Sequence, residues 1–319
     1  MRELTVGKLR GLRQCSDRGG ALSLLALDHR NNLRKILRPD APEEVADEEL
    51  TAFKRDAVAA LADAATAVLL DPEFGAAQSI ANGALPGDRG LIVALERTGY
   101  GADSHARESR VLESWSIAKI RRMGASAAKL LVYYHPSAPT APQIEELVRE
   151  VAEDCAREDL LLVLEPLVYN PDPGVGKLSP EARREAILEA ARRLVGPGVD
   201  LLKAEFPAVS ADATECRRAC GELTAASRAP WILLSAAVDF EAFLRQTEIA
   251  CRAGASGVAV GRAVWSEAPL LSNEDRIAFL RGPAHRRMAE VTSCCAEYAR
   301  PWTEIYSAPK IDARWFSRY

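Results

Sequence analysis

Eight short apolar runs, separated by longer segments of helical period, constrain this chain of 319 residues more than any single motif. The runs are Leu22 to Leu27, Ala67 to Leu70, Leu91 to Leu95, Ala128 to Tyr133, Leu160 to Leu164, Asp200 to Lys203, Trp231 to Leu234 and Gly257 to Val260. Between them the spacing of apolar residues predicts helices over Glu44 to Leu61, Ser114 to Met123, Gln143 to Arg157, Pro180 to Leu194, Ala211 to Ala226 and Phe240 to Ala253. Ser179 and Asp239 stand where N-caps belong, and Pro180 suits a first helical turn. The stretch from Asp71 to Leu91 is richer in Gly and Pro and carries the weakest helical pattern. Strands alternating with helices over about 250 residues predict an α/β chain, a single (β/α)8 TIM barrel. The barrel is expected over roughly residues 20–270, with a C-terminal helical extension over 271–319 that is too short for a second domain.

Bulk properties remove several function classes. A net charge of -4 offers no basic excess for nucleic acid or a membrane surface. The start, Met1-Arg2-Glu3-Leu4-Thr5, lacks a secretory pattern, and no run approaches about 18 apolar residues, so a cytoplasmic protein is expected. Seven dispersed cysteines read as reduced thiols. Cys216 with Cys220, and Cys294 with Cys295, have no neighbouring ligands in sequence to complete a zinc site, and the four histidines form no HxH or HExxH pair. Neither metal nor cofactor is expected, the partner is a small molecule, and the sequence leaves room for a homo-oligomer.

The charged residues inside apolar runs carry the chemistry. Only eight lysines occur among 41 basic residues, yet one, Lys203, lies within Val199-Asp200-Leu201-Leu202-Lys203-Ala204-Glu205-Phe206-Pro207. An amine is costly to bury there, and unlike arginine it can lose its proton and act as a nucleophile. The plainer reading is a strand-end lysine reaching for water. Polar residues recur at the other strand ends: Asp28-His29-Arg30, Asp71-Pro72-Glu73, Glu96-Arg97, Glu165, Ser235 and Gly261-Arg262. Barrel enzymes gather their functional groups at this mouth.

Period-two alternation puts Leu161, Val163 and Glu165 on one face of strand five, and Leu201, Lys203 and Glu205 on one face of strand six. Adjacent strands lie about 4.8 Å apart, which brings Glu165 and Lys203 within proton-transfer reach if both faces point inward. A structural ion pair would use the same spacing. Lys129, in a second apolar run, is either a positive charge that disfavours a second ammonium at Lys203 or a partner for Glu165. Ser235-Ala236-Ala237 and Gly261-Arg262-Ala263, after strands seven and eight, fit the place where many barrels hold phosphate.

Taken in order, these segments resemble the class I tagatose 1,6-bisphosphate aldolase family and the related sulfofructose-phosphate aldolases. The resemblance rests on Leu25-Ala26-Leu27-Asp28-His29-Arg30, Leu69-Leu70-Asp71-Pro72-Glu73-Phe74-Gly75, Leu95-Glu96-Arg97-Thr98-Gly99-Tyr100 and Trp115 to Tyr134. It continues through Leu164-Glu165-Pro166-Leu167-Val168-Tyr169, Leu202 to Pro207, Leu234-Ser235-Ala236-Ala237-Val238 and Gly261-Arg262-Ala263-Val264-Trp265. It implies that Lys203 forms a Schiff base, Glu165 transfers protons and Lys129 assists. Ser235 and Arg262 would then hold the 1-phosphate end of a ketose, Asp28 would contact the sugar or order Lys203, and His29, Arg30, Glu73 and Gly261 complete the expected substrate-binding set. Two positions depart from the family pattern: His29 stands where glutamine is common, and Ala236-Ala237 where alanine-glycine is common.

The reaction so implied is reversible cleavage of a phosphorylated ketose, tagatose 1,6-bisphosphate foremost, to dihydroxyacetone phosphate and an aldehyde such as glyceraldehyde 3-phosphate. Three alternatives stand beside it: a 6-deoxy-6-sulfofructose 1-phosphate aldolase, a non-catalytic phosphosugar-binding barrel, and an isomerase or epimerase using Glu165 as base.

Overall fold

In the computed structural model, which describes residues 1–99, 103–174, 176–236 and 238–319, the eight runs form eight parallel strands closed into one barrel. They are β1 (Leu22–Leu27), β2 (Ala67–Leu70), β3 (Gly90–Ala94), β4 (Ala127–Tyr134), β5 (Leu161–Val168), β6 (Leu201–Ala204), β7 (Trp231–Leu234) and β8 (Gly257–Val260). Each pairs with its sequence neighbour, and β8 returns to β1 with Gly257 opposite Leu22. The largest departure from expectation is β5, which does not end at Glu165. It pairs without a break with β4, from Ala127 opposite Leu161 to Tyr134 opposite Val168, so Glu165 is an interior strand residue.

Helices occupy the expected segments to within three residues at either end: Asp47–Leu61, Ile117–Arg122, Ala141–Arg157, Pro180–Leu194, Ala213–Ala226 and Phe240–Arg252. Ser179 and Asp239 cap as expected, accepting from the N–H groups of Ala182 at 3.2 Å and Ala242 at 2.8 Å. Ser114 does not begin a helix: its φ of 58° is left-handed, and the helix starts only after Ser116, whose hydroxyl accepts from Lys119 N. The Gly- and Pro-rich stretch after β2 forms one short helix, Ala76–Ala81.

Two apolar layers follow from the strand alternation. Leu22, Leu24, Ala26, Leu69, Leu161, Val163, Leu201 and Ile232 point inward and fill the barrel, while Leu25, Leu27, Val68, Leu162 and Leu202 point outward beneath the helices. The segment after residue 270, expected as an extension, supplies cover for the barrel itself. Asn273–Phe279 runs through a π-helical turn, Leu280–Ala284, which contains Pro283, into His285–Tyr298. This last helix lies on the outer face of β1, where Thr292 and Ser23 share a hydroxyl hydrogen bond of 2.8 Å. Arg262–Trp265, the only helical turn directly after β8, is too short for that task.

The amino-terminal mouth is closed. Trp302 and Tyr306 join the inner apolar layer, and Tyr306–Ser307 pairs in parallel with Arg2–Glu3. Asp200, fully buried just before β6, receives Arg2 at 2.7 Å and Lys8 at 2.7 Å and accepts from Leu162 N at 3.0 Å. All seven cysteines are unpaired. Among the described residues no helix is long and apolar enough to cross a membrane.

Closure of β8 on β1 depends on one glycine. Gly257 has φ 139°, and a Cβ there would lie 1.7 Å from the Leu22 carbonyl oxygen. Gly257→Ala is expected to cost more than about 4 kcal/mol, a large share of a domain's stability. Urea unfolding checks this; a midpoint near that of the unsubstituted chain would contradict it.

Candidate active site

The alternation that fills the barrel with apolar side chains continues one layer higher with charged ones. Inward positions run Leu24, Ala26, Asp28 at β1, Leu161, Val163, Glu165 on β5, and Leu201, Lys203 on β6. Val163 pairs with Leu201, so two residues further on Glu165 faces Lys203. Lys129 on β4 sits opposite Val163 on one side and Ala94 on the other, which aims it between the ends of β3 and β5.

Lys129 is wholly buried and meets three carboxylates: Asp28 Oδ2 at 2.8 Å, Glu96 Oε1 at 2.7 Å and Glu165 Oε2 at 2.9 Å. The other Glu165 oxygen, Oε1, lies 2.8 Å from the Lys203 ammonium. Of the two sequence readings of Lys129, the structure brings it to Glu165, with Asp28 and Glu96 added. Burial pulls the Lys129 pKa down, but the three carboxylates outweigh it and hold the group well above the ordinary lysine value. Burial likewise pushes Asp28 and Glu165 up, yet Lys129 and Lys203 hold both below the usual carboxylate range. Glu96 goes the other way, because burial exceeds the pull of Lys129. Its Oε2 accepts from Leu131 N at 3.0 Å.

A second chain of contacts sets Arg30, which is 4% exposed. Its Nη2 donates to the Glu96 carbonyl at 2.8 Å and its Nη1 pairs with Glu73. Glu73 is placed by a turn in which Asp71 Oδ2 accepts from the N–H groups of Glu73 at 3.1 Å and Phe74 at 2.8 Å. Asp71 in turn pairs with Lys54, both fully buried. Glu73 therefore acts behind Arg30 and does not line the cleft.

The cleft itself, about 290 Å³, opens over this layer. Seven of the ten expected residues line it: Lys203, Glu165, Lys129, Asp28, His29, Arg30 and Arg262. Ser235 and Gly261 come together just behind, with Gly261 N donating to Ser235 Oγ at 3.3 Å, but neither lines it. Ala237 and Tyr100 lie outside the described residues. Glu205, expected on the Lys203 face, leaves the interior, accepts from Val168 N at 2.9 Å and pairs with Arg183 at 2.9 Å. Sequence reading missed Asn31, Asn32 and Lys35, on the helix Asn31–Leu37 after β1, and gave no role to Glu96 and Arg97. The signal for the first group was present, since Lys35 follows Asn31 by four residues and shares its helix face.

With this geometry in place, comparison with known proteins is direct. The DeoC/LacD family of aldolases matches residues 22–267, from β1 to just past the turn after β8. The chain belongs to this aldolase family. It is 30% identical over 329 aligned positions to a tagatose 1,6-diphosphate aldolase of Lactococcus lactis subsp. lactis, covering 94% of this chain and 99% of that one. It is 31% identical over 282 positions to a Staphylococcus aureus protein of the same name, covering 82% and 85%. Among solved structures, an archaeal fructose 1,6-bisphosphate aldolase superposes with a TM-score of 0.57 at 21% identity, covering 90% of this chain and 99% of that one. A Plasmodium falciparum fructose-bisphosphate aldolase gives 0.69 at 14%, covering 94% and 98%. At these identities the two structures speak for the fold.

In this aldolase, His29 links site and stability. Burial, reinforced by Arg262, Lys203 and Lys54 against the opposing pull of Asp28, drives its pKa down to about 4. An unfolded histidine protonates near pH 6.5, so between those values the unfolded chain binds more protons, and stability held above pH 6.5 is lost as pH falls toward 4. The loss is expected to be about 2 kcal/mol, less than the full shift because the ring is partly open to the cleft. Urea titrations of the wild type and His29→Gln at pH 7 and 4.5 check this: the variant should lack that part of the slope, and equal losses would contradict it.

Proposed function

We propose that this chain is a class I aldolase that cleaves tagatose 1,6-bisphosphate through a Schiff base on Lys203. The observation that carries the reading is the pairing of a buried lysine with a buried carboxylate at 2.8 Å, on adjacent strands at the open mouth of an aldolase-family barrel. Names borne by relatives along nearly the whole chain support the substrate.

The amine of Lys203, once it has given up a proton, attacks the C2 carbonyl, and loss of water leaves a protonated imine. Glu165, held ionised, takes the C4 hydroxyl proton, and the electrons of the C3–C4 bond flow into the imine. The aldehyde leaves and an enamine remains on Lys203. Protonation at C3, with Glu165 returning its proton, regenerates the imine, and hydrolysis releases dihydroxyacetone phosphate and the free amine. Asp28 and Glu165, both held ionised, favour the cationic imine at the position of the former ammonium. Lys129 fixes the Glu165 carboxylate through its second oxygen.

Arg262 follows β8 and lines the cleft together with Lys203, which suits it to the 1-phosphate, with Ser235 and Gly261 supporting it from behind. Arg30, Lys35 and Arg97 suit the distal anion; among the described residues neither Lys35 nor Arg97 has a side-chain ion pair. A sulfonate would meet the same cations, which makes the sulfonated sugar a necessary arm of the assay. Seven unpaired thiols accord with a cytoplasmic setting.

Borohydride reduction in the presence of dihydroxyacetone phosphate should leave a covalent adduct on Lys203, located by peptide mass spectrometry. No adduct there would remove the imine mechanism, and with it favour a binding barrel or an isomerase. Glu165→Gln is expected to lower kcat for tagatose 1,6-bisphosphate by about 10²–10⁴-fold, in a coupled assay run with EDTA, while the adduct still forms. Faster turnover of fructose 1,6-bisphosphate or of the sulfonated sugar would reassign the substrate, and loss of activity with EDTA would refute the metal-free scheme.

A further inference from the structure

His29 is a cleft residue whose ring is held firmly but whose polar atoms are left unmet. The ring stands edge-on to Trp265, with centroids 5.3 Å apart and planes at 82°. Trp265 is itself fixed: it is fully buried, donates through Nε1 to the Ala26 carbonyl at 3.2 Å, and meets Phe53 at 5.4 Å. On another side the ring lies against Gly261, where a Cβ would fall 3.1 Å from His29 Cε1 and 2.9 Å from the Ala26 oxygen. The missing side chain at 261 thus makes room for this imidazole.

Nδ1 of His29 is buried without a hydrogen-bond partner, and Nε2 makes no hydrogen bond with any described residue. Nδ1 is sealed from the cleft, so Nε2 is the nitrogen that a bound ligand can meet, and a ligand group that pairs with it gains a hydrogen bond. The groups whose charges act on His29 are Asp28, Arg262, Lys203 and Lys54. Two of them, Lys203 and Arg262, line the same cleft as His29. At Nε2 an uncharged imidazole presents either an N–H or a lone pair, according to its tautomer, and a hydroxyl can accept from the one or donate to the other.

We propose that His29 hydrogen-bonds the hydroxyl on the substrate carbon next to the one that Lys203 captures, and so selects hydroxyketone phosphates over their deoxy analogues. The assignment rests on the Schiff-base reading of Lys203. His29 is then a specificity-determining residue, acting on the part of the ketose that stays bound after cleavage.

The test compares two imine-forming probes, dihydroxyacetone phosphate and hydroxyacetone phosphate, which lacks that hydroxyl. The half-saturating concentration for borohydride-trapped adduct is measured for each with the wild type, His29→Leu and His29→Gln. The wild type is expected to prefer dihydroxyacetone phosphate by about tenfold, the factor that one neutral hydrogen bond supplies. His29→Leu should bring the ratio to within about twofold by weakening dihydroxyacetone phosphate alone. His29→Gln, which keeps a neutral donor and acceptor, should restore the preference. His29→Phe, which preserves an edge contact with Trp265, serves as a second apolar variant if the leucine form does not fold. A preference that survives in the folded apolar variant overturns the assignment of His29, as does a loss shared equally by both probes. No adduct with either probe in the wild type overturns the Schiff-base reading and this proposal together, whereas an adduct with an unaltered ratio overturns this proposal alone.

Discussion

Three carboxylates, at the ends of β1 and β3 and within β5, converge on the ammonium of Lys129, and the mouth of the barrel takes its shape from that convergence. The Lys129 ammonium donates hydrogen bonds to Asp28 and Glu96 and meets Glu165 Oε2 as an ion pair at 2.9 Å. The carboxylates belong to odd-numbered strands and the two lysines to even-numbered ones, as expected where alternate strands supply successive inward layers. Glu165 joins the two lysines, with Oε2 toward Lys129 and Oε1 toward Lys203. The orientation of the carboxylate that faces the nucleophile is therefore set from behind, by a group that need not touch substrate.

Such a cluster is a poor source of stability and a good source of position. Each charge loses hydration on burial, and mutual attraction recovers this only while all members are present; removal of one leaves the rest uncompensated at about 3–5 kcal/mol. The same logic extends outward along a connected path. Lys54 pairs with Asp71, Asp71 forms the turn that presents Glu73, Glu73 holds Arg30, and Arg30 donates to the carbonyl of Glu96, whose side chain returns to Lys129. Arg30 thus stands in the cleft with both terminal nitrogens committed, ordered by residues as remote as a helix between β1 and β2.

What the sequence made legible was whatever depends on a local period. The four runs Leu22 to Leu27, Ala67 to Leu70, Trp231 to Leu234 and Gly257 to Val260 became strands with those bounds, and alternation alone placed Glu165 opposite Lys203. What depends on contacts between distant segments was not legible. Glu96 reaches Lys129 because its strand end lies beside β4, and nothing near Glu96 in the chain signals it. Glu73 looked like a cleft residue because it follows a strand, yet a buried partner two residues earlier turns it toward Arg30. Likewise the helix His285–Tyr298 covers β1, some 260 residues away, and no local pattern separates a covering helix from an appended one.

The two mouths of the barrel show how stoichiometry alone can separate support from chemistry. At the closed end, one carboxylate, Asp200, is met by two cations and a backbone N–H, and Tyr306 seals it by donating to the Asp200 carbonyl at 2.9 Å. Every demand there is satisfied within the protein, so nothing remains for a ligand to do. At the open end the ratio around the two lysines is reversed, with three carboxylates to two amines, while Arg30, Lys35, Arg97 and Arg262 line the rest of the cleft. Lys203 has one carboxylate where Lys129 has three, and its side chain keeps 6% exposure where that of Lys129 keeps none. Converting it to a cationic imine leaves the count of charges unchanged, so the surroundings that hold the resting ammonium also suit the intermediate. A site built this way needs little rearrangement during the reaction, which is the physical sense in which a rigid barrel can carry out carbon–carbon cleavage.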